Sequence, residues 1–330
     1  MPLTYKGSNV GVTRRIGITV LLWSLLLPAW GMAPDARNWL MKMTQARQQA
    51  SFEGVFVYSR GNDMTSMRIL HRNVAGLEQE RLIALDGDRR EIVRTGDQVI
   101  CVFPDQRQVA LRQALPGGPF GGAILGVEPM DKFYDVNVVG TDRVAGVEAV
   151  ELALMARDAW RYSYRLWLEK QTGLLVKSLI LDHDGDALEH FHFTSLTLDP
   201  VFDDKAFQVP DGRQVVQHVT DVASAQAEGP GKRWAPGWLP DGFVRATTEI
   251  SGKPDPMDTL AQTYSDGLAA LTIFAEPADE AMPEGGMRMG ASVAYTTVRR
   301  LNGDKRRITV VGEVPLATAR KIALSVGEAP

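Results

Sequence analysis

The apolar residues of this chain follow the period of a helix before they follow the period of a strand. In the run "PDARNWLMKMTQARQQA", Trp39, Leu40, Met43 and Ala46 recur at helical spacing, and Asp35 can cap the start. A single amphipathic helix must bury its apolar face against another layer of structure. The pattern therefore predicts one helix that lies on whatever follows it in the chain.

From residue 52 onward apolar and polar residues alternate, which is the period of a strand. The runs "FEGVFVYSR" and "TSMRILHR" flank a Gly-Asn-Asp turn, and further turn signals recur roughly every ten residues. About ten or eleven strands, mostly antiparallel, precede the point near Pro200 where the pattern weakens. A sheet of that length must curl. We therefore predict a mostly β chain with a large half-open antiparallel β-barrel, an apolar inner face and covering helices.

An irregular stretch interrupts the strands at residues 114–130. It contains three prolines and five glycines, which make it a poor strand, yet it also carries large apolar side chains. Long apolar loops of this kind are either disordered or functional lids. We predict that four side chains line the mouth of the barrel cavity: Phe120, Ile124, Leu125 and Met130.

A second, smaller domain follows a stretch of small and polar residues. In it, "AYTTVRRLNGDKRRITVVGE" turns at Asn302-Gly303, the strongest short hairpin signal, and Pro315 stands in the first turn of a terminal helix. We expect a four-stranded sheet with one helix, which can fold alone. The predicted division is a large β domain at residues 34–210, a linker at 211–233 and a C-terminal α+β domain at 234–330.

The N-terminus has the pattern of a secretory signal. Lys6, Arg14 and Arg15 precede the apolar residues 16–30, a stretch that is shorter than the roughly 20 residues of a spanning helix. We predict a signal peptide at residues 1–33 and export from the cytoplasm. An uncleaved membrane anchor is the alternative.

The composition narrows the classes of function. The 330 residues are 45% hydrophobic and 23% charged, as in ordinary globular proteins. A net charge of −4 provides no basic field of the kind that nucleic-acid binding requires, so we predict no nucleic-acid partner. Cys101 is the single cysteine, which excludes an internal disulfide, and its apolar strand predicts a buried thiol.

The sequence shows no recognisable catalytic or metal-binding motif. His190 and His192 share a strand face, but a third ligand at metal-site spacing is missing, so we interpret them as exposed strand histidines. The run "DHDGDA" begins like a calcium loop and fails where that loop requires glycine, at Ala187. The chain contains no G-x-S-x-G, H-E-x-x-H or P-loop motif. We predict a binding protein, with no enzymatic activity, no cofactor and no metal.

Basic residues cluster on both arms of the Asn302-Gly303 hairpin. They form either a solvated strand face or a patch that binds an acidic partner segment or anionic head groups. We predict that the following residues bind a partner: Arg299, Arg300, Lys305, Arg306 and Arg307.

Several blocks, in one order along the chain, are similar to those of a known family. They are "DGDRREIVRTGDQV" (residues 86–99), "YDVNVVGTDRVAGVEAVEL" (134–152), "RYSYRLWLEKQTGLLVKSLILDHDGDALEHF" (161–191), "WLPDGF" (238–243), "YSDGL" (264–268) and "ITVVGEVP" (308–315). Through them the chain resembles the MucB/RseB family of periplasmic regulators of envelope-stress sigma factors. The glycine-proline loop at residues 114–130 is the one departure from the family's pattern.

The resemblance implies a fold, a location and a partner. The large domain would be similar to the lipoprotein-carrier fold, and the protein would be periplasmic. The smaller domain and its linker would help to bind the periplasmic domain of a membrane-spanning anti-sigma factor of the MucA/RseA type, and so protect it from regulated proteolysis. Lipid, lipopolysaccharide or mislocalised lipoprotein would then release it. A homodimer is a further candidate assembly.

Two alternatives to a regulator remain open on the sequence. The first is a periplasmic lipid or lipoprotein carrier with no regulatory role, since an apolar cavity gains about 0.8 kcal/mol per buried CH₂ group of an acyl chain. The second is a hydrolase that acts on envelope components, with a site assembled from distant residues. The second domain and its basic hairpin favour the regulator, because a carrier does not need them.

Overall fold

The computed structural model describes most of the chain between residues 34 and 328. The described ranges are 34–88, 90–96, 98–102, 108–111, 130–209, 215–216, 234–246, 260–278, 284–301 and 303–328. All of them belong to one compact unit. Within these ranges no helix is long and apolar enough to cross a bilayer. The predicted signal peptide and linker lie outside the described residues, apart from the two residues of one short strand.

A twelve-stranded sheet forms the larger part of the molecule. Its strands are β1 Phe52–Arg60, β2 Asp63–Val74, β3 Leu77–Ala84, β4 Glu91–Thr95, β5 Gln98–Val102, β6 Gln108–Leu111, β7 Tyr134–Val144, β8 Val147–Ala156, β9 Ser163–Glu169, β10 Leu175–Leu181, β11 Ala187–Leu198 and β12 Val215–Val216. The spatial order is β12-β6-β5-β4-β3-β2-β1-β11-β10-β9-β8-β7, and only the β12–β6 pair is parallel. Strands β7 and β12 are therefore the two edges of an open sheet, and the predicted large antiparallel sheet is confirmed.

The predicted amphipathic helix is also confirmed. Helix α1 spans Pro34–Gln49, and a single short turn of helix, α2, spans Met130–Phe133. Leu40 and Met43 of α1 are buried in a cluster with Leu152 and Leu168 of the sheet. The helix therefore covers the part of the sheet formed by β7, β8 and β9.

A second apolar cluster lies where the two halves of the sheet meet, at the β1–β11 pair. The rings of Phe56, Phe191 and Phe193 contact one another at tilted or edge-on angles. A Cβ on Gly54 would lie 2.6 Å from the Phe193 ring, so this position in β1 requires a glycine. Close packing at the seam therefore depends on a missing side chain as well as on large ones.

The C-terminal residues form a smaller α+β layer. Its elements are β13 Trp234–Pro236, β14 Val244–Arg245, β15 Leu260–Ser265, β16 Ala270–Pro277, β17 Gly285–Met289, β18 Ser292–Leu301, β19 Asp304–Gly312, α3 Leu316–Ser325 and β20 Val326–Glu328. The sheet has six strands in the order β14-β15-β16-β19-β18-β17, and β13 pairs with β20 separately. The predicted count of four strands was wrong, because two edge strands are short or glycine-rich.

The packing of this layer follows its sequence pattern. Helix α3 buries Ala319, Ile322 and Ala323 against strand residues such as Ile308 and Val310. Leu301 of β18 pairs with Asp304 of β19, so the hairpin lies where the Asn302-Gly303 signal predicts it, and Gly303 has a φ of +86°.

Candidate functional site

A buried ion pair connects the large sheet to the C-terminal layer. Arg161 precedes β9 and is fully buried, and its Nη1 donates to Oδ2 of Asp266 at 2.7 Å. Its Nη2 donates to the backbone oxygen of Asp241 at 2.7 Å, and its Nε donates to Asp158 at 3.1 Å. One guanidinium thus binds two segments of the C-terminal layer and one loop of the large sheet.

The Asp266 carboxylate is held by donors from both sides of this contact. The amides of Leu268 and Ala269 donate to Oδ1 at 3.0 and 2.9 Å, and the Tyr134 hydroxyl donates to Oδ2 at 3.0 Å. Burial and then the Asp266 charge raise the pKa of Tyr134 well above its usual value. Burial opposes the charge of Arg161, but its carboxylate partners outweigh burial and raise the pKa of Arg161. The hydrogen bonds offset the desolvation of the charges.

Aromatic rings enclose the Arg161 guanidinium. Its carbon lies 4.7 Å from the Phe133 ring centroid and 5.6 Å from those of Tyr134 and Phe243, distances at which cation–π attraction acts. Gly242 has a φ of +90°, and a Cβ there would lie 2.2 Å from the Phe133 ring. The "PDGF" turn can therefore approach the large sheet only with glycine at this position.

A second contact brings α3 onto the loop between β8 and β9. Lys321 places its Nζ 4.1 Å from the Trp160 ring centroid and 3.8 Å from that of Trp238. The two indole rings meet at 4.9 Å in an edge-on arrangement, and Thr318 donates its hydroxyl to the Trp160 backbone oxygen at 3.0 Å. This contact combines apolar area with one cation and one hydrogen bond.

A third contact joins the start of β11 to the turn between β17 and β18. The buried Glu189 carboxylate accepts the Ala291 amide at 3.0 Å and the hydroxyl of Tyr58. Nε of Arg60 lies 3.7 Å from the same carboxylate. A Cβ on Gly290, whose φ is +62°, would lie 2.3 Å from Arg60. We use the name junction for these three contacts, centred on Arg161, Trp160 and Glu189.

The charges of the third contact shift nearby pKa values. Burial, and then the hydrogen bond to Glu189, raise the pKa of Tyr58. Burial and the neighbouring Glu189 charge raise the pKa of Glu313 to about 7, although Arg60 opposes the shift. Glu313 therefore gains a proton more readily than an ordinary glutamate, because it lies near the Glu189 charge of the junction.

The structure divides the predicted basic patch between two sheet faces. Cross-strand register places Arg299 opposite Arg306 on the face toward α3, and Arg300 opposite Lys305 on the other face. Nε of Arg299 lies 3.4 Å from the Val326 backbone oxygen. The partner role of these residues stays a prediction.

The remaining partner candidate, Arg307, already has an acidic neighbour. Its Nη2 donates to Glu276 on the adjacent strand at 2.8 Å, and its Nε donates to the same carboxylate at 3.1 Å. Arg300 and Lys305 are exposed, so they are the members of the patch that solvent and a partner can reach most easily on that second face.

Of the four predicted cavity-mouth residues, the structure describes one. Phe120, Ile124 and Leu125 lie outside the described residues. Met130 is fully buried in the cluster under α1, next to residues such as Leu40. Its role at a cavity mouth stays a prediction.

The histidines and the cysteine differ from their sequence-based interpretation. His190 and His192 are half-buried rather than exposed, stack at 4.8 Å, and burial lowers the pKa of both rings. Cys101 is half-buried rather than fully buried, and burial raises the pKa of its thiol. In the described ranges, one group of three side chains could hold a metal ion: His71, Glu78 and Glu80.

Sequence reasoning missed the junction, although a signal for it was present. Arg161, Asp241 and Asp266 each lie inside a block that carried the family resemblance, namely "RYSYRLW", "WLPDGF" and "YSDGL". The blocks were interpreted as strands and turns, because nothing in their local pattern shows that they meet.

Comparison with family models identifies both parts of the chain. The model described as the MucB/RseB N-terminal domain matches residues 35–211, and the model described as the MucB/RseB C-terminal domain matches residues 228–327.

Curated relatives match over nearly the whole length. The chain is 36% identical over 318 residues to the sigma factor AlgU regulatory protein MucB of Pseudomonas aeruginosa, covering 95% of this chain and 97% of the relative. It is 30% identical over 325 residues to the sigma-E factor regulatory protein RseB of Haemophilus influenzae, covering 93% and 96%. The RseB protein of Escherichia coli is 26% identical over 324 residues, covering 94% and 96%.

Solved structures of MucB proteins have a similar fold. A crystal structure of MucB in complex with MucA(peri) matches with a TM-score of 0.69 at 32% identity, covering 90% of this chain and 100% of that one. A crystal structure of MucB matches with a TM-score of 0.64 at 31% identity, covering 90% and 99%. The two family models and these full-length relatives agree, and the chain belongs to the MucB/RseB family.

Proposed function

We propose that this protein is a periplasmic regulatory binding protein that holds the periplasmic segment of a membrane-spanning anti-sigma factor. The observation that carries the proposal is the likeness, over 90% of the chain, to a MucB solved in complex with MucA(peri). The matched relatives are named as regulators of the AlgU and sigma-E factors. The signal-like N-terminus and the single cysteine are compatible with export.

The bound segment is shielded from regulated proteolysis and is released when the protein binds lipid, lipopolysaccharide or mislocalised lipoprotein. The twelve-stranded sheet is open, and β7 and β12 are its two edges. This openness supports a lipid-binding role, because an open sheet can admit an acyl chain to its apolar face. Helix α1 covers the region of β7 to β9. The protein acts by binding, without catalysis.

A direct test measures binding and protection in one preparation. The mature chain from residue 34 is titrated with the periplasmic segment of the MucA/RseA-type protein from the same organism, by calorimetry. We expect saturable binding and slower cleavage of that segment by the site-1 protease. Absence of binding, or binding without slower cleavage, would contradict the proposal.

The same preparation separates a regulator from a carrier without regulatory role. An acylated lipopolysaccharide fragment is added to the preformed complex, and the free anti-sigma segment is measured. A regulator releases the segment as the amphiphile binds. A carrier takes up the amphiphile but has no complex to release, and that result would favour the alternative.

A further inference from the structure

One polar cluster on the large sheet plays no part in the junction. His71 on β2 lies directly opposite Glu80 on β3, and Glu78, two residues earlier on β3, shares the same sheet face. One ligand atom from each of the three side chains lies within 4.8 Å of the other two. The strands thus bring one imidazole and two carboxylates together from positions that are seven and nine residues apart in the sequence.

The hydrogen bonds of His71 define which ring nitrogen can accept an ion. Nδ1 lies 2.9 Å from the backbone oxygen of Ala50, which can only accept, so Nδ1 carries a hydrogen. Nε2 lies 3.2 Å from Oε1 of Glu78, which also accepts when ionised. In a neutral ring, two lone pairs would face each other there. A proton on either of the two atoms, or a cation between them, resolves this conflict.

The ring is fixed in position by its surroundings. His71 is 3% exposed and stacks on Phe52 at 4.9 Å with an interplanar angle of 18°. Nη2 of Arg94 lies 3.3 Å from the other oxygen of Glu78, Oε2, and orients that carboxylate. Histidines that bind metals commonly donate their second nitrogen to a backbone carbonyl, as His71 does.

We propose that His71, Glu78 and Glu80 bind one divalent transition-metal ion of the Zn²⁺ class, with solvent in the remaining position. One nitrogen and two oxygens suit Zn²⁺, whereas Ca²⁺ and Mg²⁺ prefer oxygen ligands alone. Tetrahedral Zn²⁺ with bonds of about 2.1 Å separates two ligand atoms by roughly 3.4 Å. The observed 3.2 Å between Nε2 and Oε1 is close to that spacing.

Occupation of this site would strengthen the connection between α1 and the sheet. Ala50 follows the last turn of α1, and its backbone oxygen is bound by the imidazole that also holds the ion. The ion would therefore fix β2, β3 and the end of α1 together. The site does not depend on the proposed anti-sigma function, because the pairing of β2 with β3 alone brings its three ligands together.

The test uses the full mature chain after removal of metals with a chelator. Zinc is titrated by calorimetry, and the melting temperature is measured with and without zinc. We expect one equivalent of zinc, a higher melting temperature, and at least a tenfold weaker affinity in both His71→Ala and Glu80→Gln. His190→Ala, which removes another half-buried strand histidine, should leave zinc binding unchanged.

If His71→Ala fails to fold, Glu80→Gln alone tests the zinc site. This substitution keeps the size of the side chain and the contact between His71 and Glu78. If a proton rather than a metal ion lies between His71 and Glu78, the chelated protein binds no zinc and Glu80→Gln behaves like the parent. That result, or stoichiometric zinc binding that survives Glu80→Gln, would overturn the proposal.

Discussion

Several residues of the junction carry buried charges, and their effect on the free energy of unfolding depends on each charge having its partners. The Asp266 carboxylate accepts four hydrogen bonds, from Arg161, Tyr134 and two backbone amides. Removing one partner of a buried ion pair leaves the other charge without compensation and typically costs 3–5 kcal/mol, about ten times an exposed pair. The junction is therefore sensitive to single substitutions.

Asp266→Asn should destabilise the protein by about 3 kcal/mol, because Arg161 stays buried, loses its fully buried charged partner and keeps only the partly exposed Asp158. Urea denaturation at constant salt measures the free energy of unfolding. Asp158→Asn is the matched control, since that carboxylate is 29% exposed and should cost about 1 kcal/mol or less. Equal losses in the two variants would contradict the assignment of Asp266 as the main partner.

Glu313 makes stability depend on pH in a direction opposite to that of most carboxylates. Its pKa is raised from 4.5 to about 7 in the folded protein, so between these values the folded state binds more protons than the unfolded state. Its contribution to stability is therefore complete below pH 4.5 and declines as the pH rises through 7. The free energy of unfolding is measured for both proteins at pH 5, 6, 7 and 8. The stability of Glu313→Gln relative to the parent should increase as the pH rises. A constant difference would show that Glu313 does not titrate in this range.

At the scale of elements, local signals predicted the parts that local interactions determine. The amphipathic period of α1 and the hairpin of β18 and β19 depend on neighbouring residues, and both occur where the sequence indicates. Strand β14 has two residues and strand β17 is glycine-rich, so long-range pairing alone defines them. The ion pair of Arg161 and Asp266 joins residues 105 positions apart, and a periodicity argument cannot reach such a contact.

The docking of α1 on the sheet can be tested on the helix itself. Leu40 is fully buried against the sheet, so Leu40→Ala should cost about 2–5 kcal/mol through lost burial and a cavity. The adjacent Met41 is 43% exposed, and Met41→Ala should change stability by about 0.5 kcal/mol or less. The comparison uses denaturant unfolding monitored by circular dichroism. Similar losses in both variants would show that α1 does not pack as described.

At the scale of the whole molecule, the junction connects the large sheet to the C-terminal layer, so any influence of a ligand on one part upon a partner on the other would have to pass through it. Three separate contacts join these parts, and two of them include buried charged groups. If an amphiphile and the anti-sigma segment favour different states, each must weaken the other by the same factor. The ion pair and the Glu189 contact are the groups whose rearrangement would carry that coupling.

The basic hairpin offers a test of partner binding, and the structure shows which face to change. Arg300 and Lys305 are exposed opposite each other, so the double reversal Arg300→Glu, Lys305→Glu should weaken association with an acidic anti-sigma segment and reduce its salt dependence. Reversing the exposed Arg90 and Lys170 of the large sheet changes the net charge equally and should have little effect. Dissociation constants measured at low and high salt distinguish the two pairs. If both double variants weaken binding alike, the overall charge is responsible and the hairpin makes no direct contact.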